Sequence, residues 1–242
     1  YIMFLHFTED SYEKALIGLF QSMGYEYAYG PDIERNYQEP YYLNQVWASL
    51  PIVNPSKHQN AIAEAIKKLT NIDSGDLAQK NGIFMDYLQN GIPVAYHDGK
   101  EIRHDIVYLI DYENIYRNTF QIINQWTYVE KSEKRADLIV FVNGLPLVLI
   151  ELKSPSREET DASAAYRQIK NYMHEIPSMF TYNAFCVMSD MMCSKAGTIT
   201  SSEDRFMEWK TKDGNYESTQ YADYDTFFEG IFPKERFLDI IK

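Results

Sequence analysis

Apolar residues recur at helical intervals in the first part of the chain and at strand intervals after about residue 92. In "TEDSYEKALIGLFQSMGY" Tyr12, Leu16, Leu19, Phe20 and Met23 share one face, which predicts a helix with Thr8 as N-cap and Gly24 as stop. Tyrosine-rich, irregular sequence follows, with proline at 31, 40, 51 and 55. "HQNAIAEAIKKLTN" and "SGDLAQKNGIFMDYLQNG" read as two short helices. "IPVAYH", "IRHDIVYLID", "TFQIINQWTYVE", "RADLIVFV" and "LPLVLIELK" then read as strands of an antiparallel meander, separated by turn signals. "EETDASAAYRQIKNYMHEI" predicts a helix ended by Pro177, "AFCVMSD" a buried strand, and "GTIT" and "RFMEWK" shorter strands. This order predicts an α/β or α+β architecture on a mixed central sheet flanked by helices. Residues 1–91 form its mainly helical N-terminal extension, and 92–242 its sheet and helices.

Composition narrows the function classes. A chain of 242 residues, 45% hydrophobic and 24% charged, buries an ample core. Cys186 and Cys193 are too few for a disulfide framework and lack zinc-site spacing, so they read as reduced thiols in a cytoplasmic protein. The five histidines form no paired spacing either. No apolar run reaches the ~18–20 residues of a membrane span. The formal net charge of −12 argues against a stand-alone nonspecific nucleic-acid binder. It is compatible with a nucleic-acid enzyme whose substrate is held by other domains or subunits.

The chemistry concentrates in "RADLIVFVNGLPLVLIELKSP", residues 135–155. Asn143-Gly144 is a hairpin signal, so the two apolar runs pair antiparallel and fold Glu151 and Lys153 back towards Asp137. Parity then matters. A strict two-residue loop with unbroken pairing sets Asp137 beside Ile150 and points Glu151 to the other face. Joint action of Asp137, Glu151 and Lys153 therefore requires an odd-length loop or a bulge. Adjacent carboxylates repel unless a cation lies between them, and hard oxygen donors, the Leu152 carbonyl included, suit Mg²⁺ or Mn²⁺. Lys153 is placed to orient water or stabilise developing negative charge. Together these parts suit phosphodiester hydrolysis. Strand-end charges are also commonly solvated, and Glu-x-Lys arises by chance.

Gln168 and Tyr172, at i and i+4 on the next helix, share a face. With them, the order Asp137, Glu151-Leu152-Lys153, Gln168, Tyr172 resembles the RecB-like branch of the PD-(D/E)xK nucleases. "KRADLIVFVNGLPLVLIELKSP" and "VYLIDYENIYRNTFQIINQWTY" resemble the N-terminal nuclease segment of type I restriction-modification R subunits. The resemblance covers most of the chain, least in 31–90 and 211–242. Ala136 stands where the motif's name has proline.

The resemblance implies a restriction-endonuclease-like core over a single domain, 1–242. It implies Asp137 and Glu151 as metal ligands, Lys153 as catalytic lysine, and Gln168 and Tyr172 as DNA contacts or active-site support. A first-helix glutamate reaching the metal would be Glu13, with Glu9 the alternative. Mg²⁺ (or Mn²⁺), double-stranded DNA, and methyltransferase (M) and specificity (S) subunits are the implied cofactor and partners. ATP would act only through motor domains after residue 242, because no phosphate-binding loop occurs here. The alternatives are a restriction or repair nuclease of this fold without a motor, and a catalytically silent nuclease fold used for assembly. Lys131, Lys134 and Arg135 form a small basic cluster suited to phosphates or to a solvated hairpin end. Asp105 and Asp111 read as turn or edge residues.

Overall fold

Helix α1 (Glu9–Ser22) starts and stops where the sequence predicts, with the Thr8 hydroxyl accepting the Ser11 N–H and Gly24 at φ +90°. The computed structural model describes residues 8–153, 162–190, 193–209, 212 and 224–242. After α1 come β1 (Glu26–Tyr29), α2 (Leu43–Val53), α3 (Gln59–Leu69) and α4 (Leu77–Asn90). The His58 side chain caps α3, and a reciprocal Asp76–Gln79 capping box starts α4. Then follow β2 (Ile92–His97), β3 (Ile102–Val107), β4 (Phe120–Val129), β5 (Glu133–Val142) and β6 (Leu145–Leu152). The remaining elements are α5 (Ala162–Glu175), α6 (Pro177–Phe180), β7 (Phe185–Ser189), β8 (Ser194–Gly197), α7 (Tyr224–Ile231) and α8 (Lys234–Ile241).

Among the described residues six strands form one mixed sheet in the order β1-β4-β5-β6-β7-β8. The β1–β4 and β6–β7 pairs are parallel and the others antiparallel. This is a mixed α/β sheet flanked by helices, consistent with the restriction-endonuclease-like fold. One face packs on α1, α7 and α8 through Tyr12, Leu16, Phe20, Phe228 and Phe237, and α3 packs on β2 and β3 within the same core. The other packs on α5 and α6 through Ala165, Ile169, Tyr172, Met179 and Phe180. Buried on both sides, residues 138–142 of β5 and 145–150 of β6 can be continuously apolar, each large side chain contributing ~1.5–3 kcal/mol.

Four readings change. β1 lies in the stretch read as mainly helical, yet it is a strand of the main sheet. The meander is shorter than expected, because among the described residues β2 and β3 pair with each other in a separate sheet. The proline-rich stretch contains α2, with Pro51 inside it. "GTIT" is mostly turn, and "RFMEWK" contributes only a single bridge between Met207 and Ala196. Residues 158–161, read as the start of α5, and Lys210 lie outside the described residues. Among the described residues no helix is long and apolar enough to cross a membrane.

Candidate active site

The β5–β6 hairpin closes with a two-residue turn. Asn143 has φ 52° and Gly144 φ 80°, the left-handed pair that a type I′ turn requires. The turn is buried in the protein. Asn143 accepts the Thr119 N–H at 2.8 Å and donates to the Leu109 carbonyl at 2.9 Å and to Asn118 Oδ1 at 3.0 Å. A Cβ at position 144 would lie 2.6 Å from the Tyr42 carbonyl oxygen and 2.7 Å from the Val46 nitrogen.

Parity is restored by a bulge. The ladder pairs Val142 with Leu145 and Phe141 with Pro146, then skips Leu147 and resumes with Val140 beside Val148. From there Ile139 meets Leu149 and Leu138 meets Ile150. One step further sets Asp137 opposite Glu151, as joint action of these residues requires. Asp137 Oδ2 accepts the Leu152 N–H at 2.9 Å, and Lys153 Nζ donates to Glu151 Oε1 at 2.9 Å. The Lys153 N–H in turn donates to the Ser189 carbonyl on β7 at 2.9 Å. Behind Ser189, the buried Tyr12 hydroxyl of α1 bonds the Ser189 hydroxyl, which meets Ser194 Oγ at 2.6 Å.

On the other side of Asp137, β4 is kinked. Gln125 has φ 53°, and the pairs Asn124–Leu138 and Trp126–Ala136 place it across from Asp137. The pleat reverses at this rung. Ile123 and Trp126, three apart, pack into the same cluster, and so do Ala136 and Ile139. Both Glu13 oxygens bind the kink, accepting from Asn124 Nδ2 at 2.6 Å and from Gln125 Nε2 at 2.8 Å. Sequence reasoning missed Asn124 and Gln125. Their signal was two adjacent amides inside the apolar run "IINQW".

The electrostatics follow from burial. Glu151 is 2% exposed, and burial, then the Asp137 charge, push its carboxyl up to about 8. Burial pushes Asp137 up to about 6, against the Leu152 N–H, which favours the ionised form; Glu9 adds to the rise. Burial pulls the Lys153 ammonium down, but the Glu151 and Asp137 charges more than offset it. Tyr172 of α5 lies alongside. Its hydroxyl donates to the Arg135 carbonyl at 3.1 Å. Burial and the Glu151 charge hold its phenol well above the ordinary value, and the Gln168 amide opposes them. Asp137, Glu151, Lys153, Gln168 and Tyr172 are thus brought together.

An open cleft of about 610 Å³ leads to Asp137, lined also by Glu9, Glu13, Tyr27, Gln125 and Arg135. Asp105 and Asp111 are not part of it. Asp105 pairs with Lys57 at 2.6 Å, and Asp111 accepts the Glu113 and Asn114 N–H groups of its turn. Lys131 of the basic cluster donates to the His174 carbonyl at 2.8 Å, so it braces α5.

The donor set fits a hard cation in part. Among the described residues Glu151 Oε2 is buried without a hydrogen-bond partner, an acceptor open to a cation or a proton. Asp137, Glu151 and the Leu152 carbonyl are oxygen donors of the kind Mg²⁺ takes. Among the described residues no three His, Cys, Asp or Glu side chains are gathered to hold a metal ion, while Glu9 and Glu13 of α1 line the same cleft as Asp137.

Residues 6–205 match the family described as type I restriction enzyme R protein N terminus. The chain belongs to this family. Within R protein N termini it is similar to the type I restriction enzyme HindI endonuclease subunit of Haemophilus influenzae, 32% identical over 97% of this chain and 24% of that protein. It is 30% identical to the putative MjaIXP endonuclease subunit of Methanocaldococcus jannaschii, over 95% of this chain and 25% of that protein. The EcoprrI endonuclease subunit of Escherichia coli is 28% identical over 82% of this chain. This R-protein chain spans about a quarter of the length of the first two relatives.

Proposed function

We propose that this chain is the DNA-cleaving domain of a type I restriction enzyme, a metal-dependent endonuclease that hydrolyses phosphodiesters of double-stranded DNA in the cytoplasm. Residues 1–242 act as one endonuclease domain, and ATP-driven motor domains elsewhere in the full-length protein deliver the duplex. Site recognition rests with the methyltransferase and specificity subunits, in keeping with the acidic charge of this chain. The observation that carries the reading is the bulge that sets Asp137 opposite Glu151, with Lys153 on the Glu151 carboxylate.

Asp137 and Glu151 would hold a divalent cation, Mg²⁺ or Mn²⁺, with the Leu152 carbonyl as a further donor. When bound, the cation supplies a Lewis acid for a phosphoryl oxygen and lowers the pKa of water. The chain supplies the rest. The Leu152 N–H holds the Asp137 carboxylate, and the Ser189 carbonyl fixes the backbone at Lys153. The Lys153 ammonium, 22% exposed, orients a water or meets negative charge growing on the phosphate. Tyr172 and Gln168 brace the Glu151 side of the site, and Arg135 at the cleft mouth offers a cation to a phosphate.

The test is the full enzyme carrying Asp137→Ala or Lys153→Ala. Loss of cleavage with translocation retained is expected. Unchanged cleavage with translocation intact overturns the assignment and points to a silent assembly module.

A further inference from the structure

We infer that Glu13 is a positioning residue, which clamps the Asn124–Gln125 kink of β4 and so holds the strand across from Asp137 in its reactive shape. This rests on the proposed nuclease reading and replaces the metal-ligand role that family resemblance gives Glu13.

The kink needs a clamp. A residue other than glycine pays ~1–2 kcal/mol in the left-handed region, and such conformations persist where surrounding contacts enforce them. Gln125 sits there, in mid-strand, where sheet hydrogen bonding favours extended backbone. Glu13 engages both residues of the kink, one amide on each oxygen. Bonds to an ionised acceptor are about twice as strong as neutral ones. The bonding pattern is also polarised. Tyr27 donates to Asn124 Oδ1 at 3.0 Å, which turns the Asn124 amide nitrogen towards Glu13. From the backbone side Gly30 closes in. A Cβ there would lie 2.6 Å from the Asn124 carbonyl oxygen and 2.7 Å from that of Gln125, so only glycine fits against the kinked carbonyls.

The geometry separates clamp from ligand. A glutamine at 13 can keep the clamp. Its carbonyl accepts from Asn124, fixed by Tyr27, and its amide donates to Gln125 once that side chain flips. A neutral amide at 13 cannot replace a carboxylate ligand. The Glu9 charge, one turn earlier on α1, acts on Asp137, Glu151 and Lys153 alike, whereas that of Glu13 acts on Asp137 and on neither of the other two.

The experiment uses the full-length R subunit in the assembled enzyme, reading DNA cleavage and, separately, Mn²⁺ binding by calorimetry. Glu13→Gln is expected to lower cleavage about threefold and Mn²⁺ affinity by no more than about twofold, the scale of a weakened hydrogen bond. Glu13→Ala is expected to slow cleavage about 100-fold, as misplacement of a reacting group does. Glu13→Ala with Gln125→Gly is expected to regain about tenfold of that, since glycine takes positive φ without a clamp. Glu13→Gln as inactive as Asp137→Ala, or binding Mn²⁺ at least about tenfold more weakly, overturns the inference. So does full activity in Glu13→Ala, or no recovery in the double variant. If Glu13→Ala does not fold, Glu13→Gln alone decides. Asp137→Ala in parallel keeps the two readings apart, because its full activity would refute the nuclease assignment whatever Glu13 does.

Discussion

The backbone N–H of Leu152 donates to Asp137 Oδ2 at 2.9 Å, so the residue between Glu151 and Lys153 fixes the carboxylate facing them. Asn at 137 keeps an oxygen for that N–H but loses the charge and turns the second oxygen into an NH₂ donor. Asp137→Asn should therefore fold normally, with an unfolding midpoint equal to or above that of the parent. Cleavage by the assembled enzyme should fall at least about 10³-fold. A wild-type rate would refute the role given to Asp137.

The site should make the metal-free protein pH-sensitive. Asp137 rises from an ordinary 3.8 to about 6 and Glu151 from 4.5 to about 8, so the folded state holds protons that the unfolded state releases. Stability from this pair is full below about pH 4 and is lost as pH rises through about 6 and then about 8, on the order of a few kcal/mol. Urea unfolding at a series of pH values in chelator should show the decline. Glu151→Gln should flatten its upper part. By the same sign, metal binding near pH 7 should release protons, seen as buffer-dependent binding enthalpies.

The hairpin turn is a stability site away from the chemistry. Gly144→Ala combines a left-handed φ with a Cβ 2.6 Å from the Tyr42 carbonyl. It should cost about 2 kcal/mol or more by chemical denaturation. Asn143→Ala should cost about 2–4 kcal/mol, because it strands the Thr119 N–H and the Leu109 carbonyl in the core. Cleavage per folded molecule should change far less in both than in Asp137→Asn.

Tyr172→Phe removes the hydroxyl that donates to the Arg135 carbonyl. A loss of about 1 kcal/mol is expected. Cleavage should fall by less than in Asp137→Asn, since the phenol supports the strand carrying Asp137 rather than the phosphate. An effect as large as that of Asp137→Asn would put Tyr172 in contact with substrate.

The pairing of Asp137 with Glu151 was legible because side-chain alternation is arithmetic: either the hairpin bulged or the charges parted. Helices α1, α3 and α4 were legible through their apolar spacing and caps. β1 was not, because a four-residue strand in tyrosine-rich sequence has no period, and its partner β4 begins about ninety residues later. The separate β2–β3 sheet was hidden for a related reason. Strand propensity shows that a segment pairs and leaves open which sheet it joins. α2 was masked by Pro51, whose cost as a helix breaker is outweighed by burying Val46 beside the hairpin turn and Leu50 in the core. The kink at Gln125 had a visible trace in the adjacent amides, but nothing local said that a glutamate on α1 would meet them.

The skipped residue Leu147 also constrains how such a hairpin can diverge. Losing one residue between Asp137 and Glu151 would have to consume the bulge, leaving a flush ladder with the carboxylates still opposed. Losing one elsewhere between them, with the bulge kept, would turn them apart. Insertions and deletions in this segment should therefore accumulate in pairs, or singly only where the bulge appears or vanishes. Loop lengths in related chains are thus a record of whether the two carboxylates have stayed on one face.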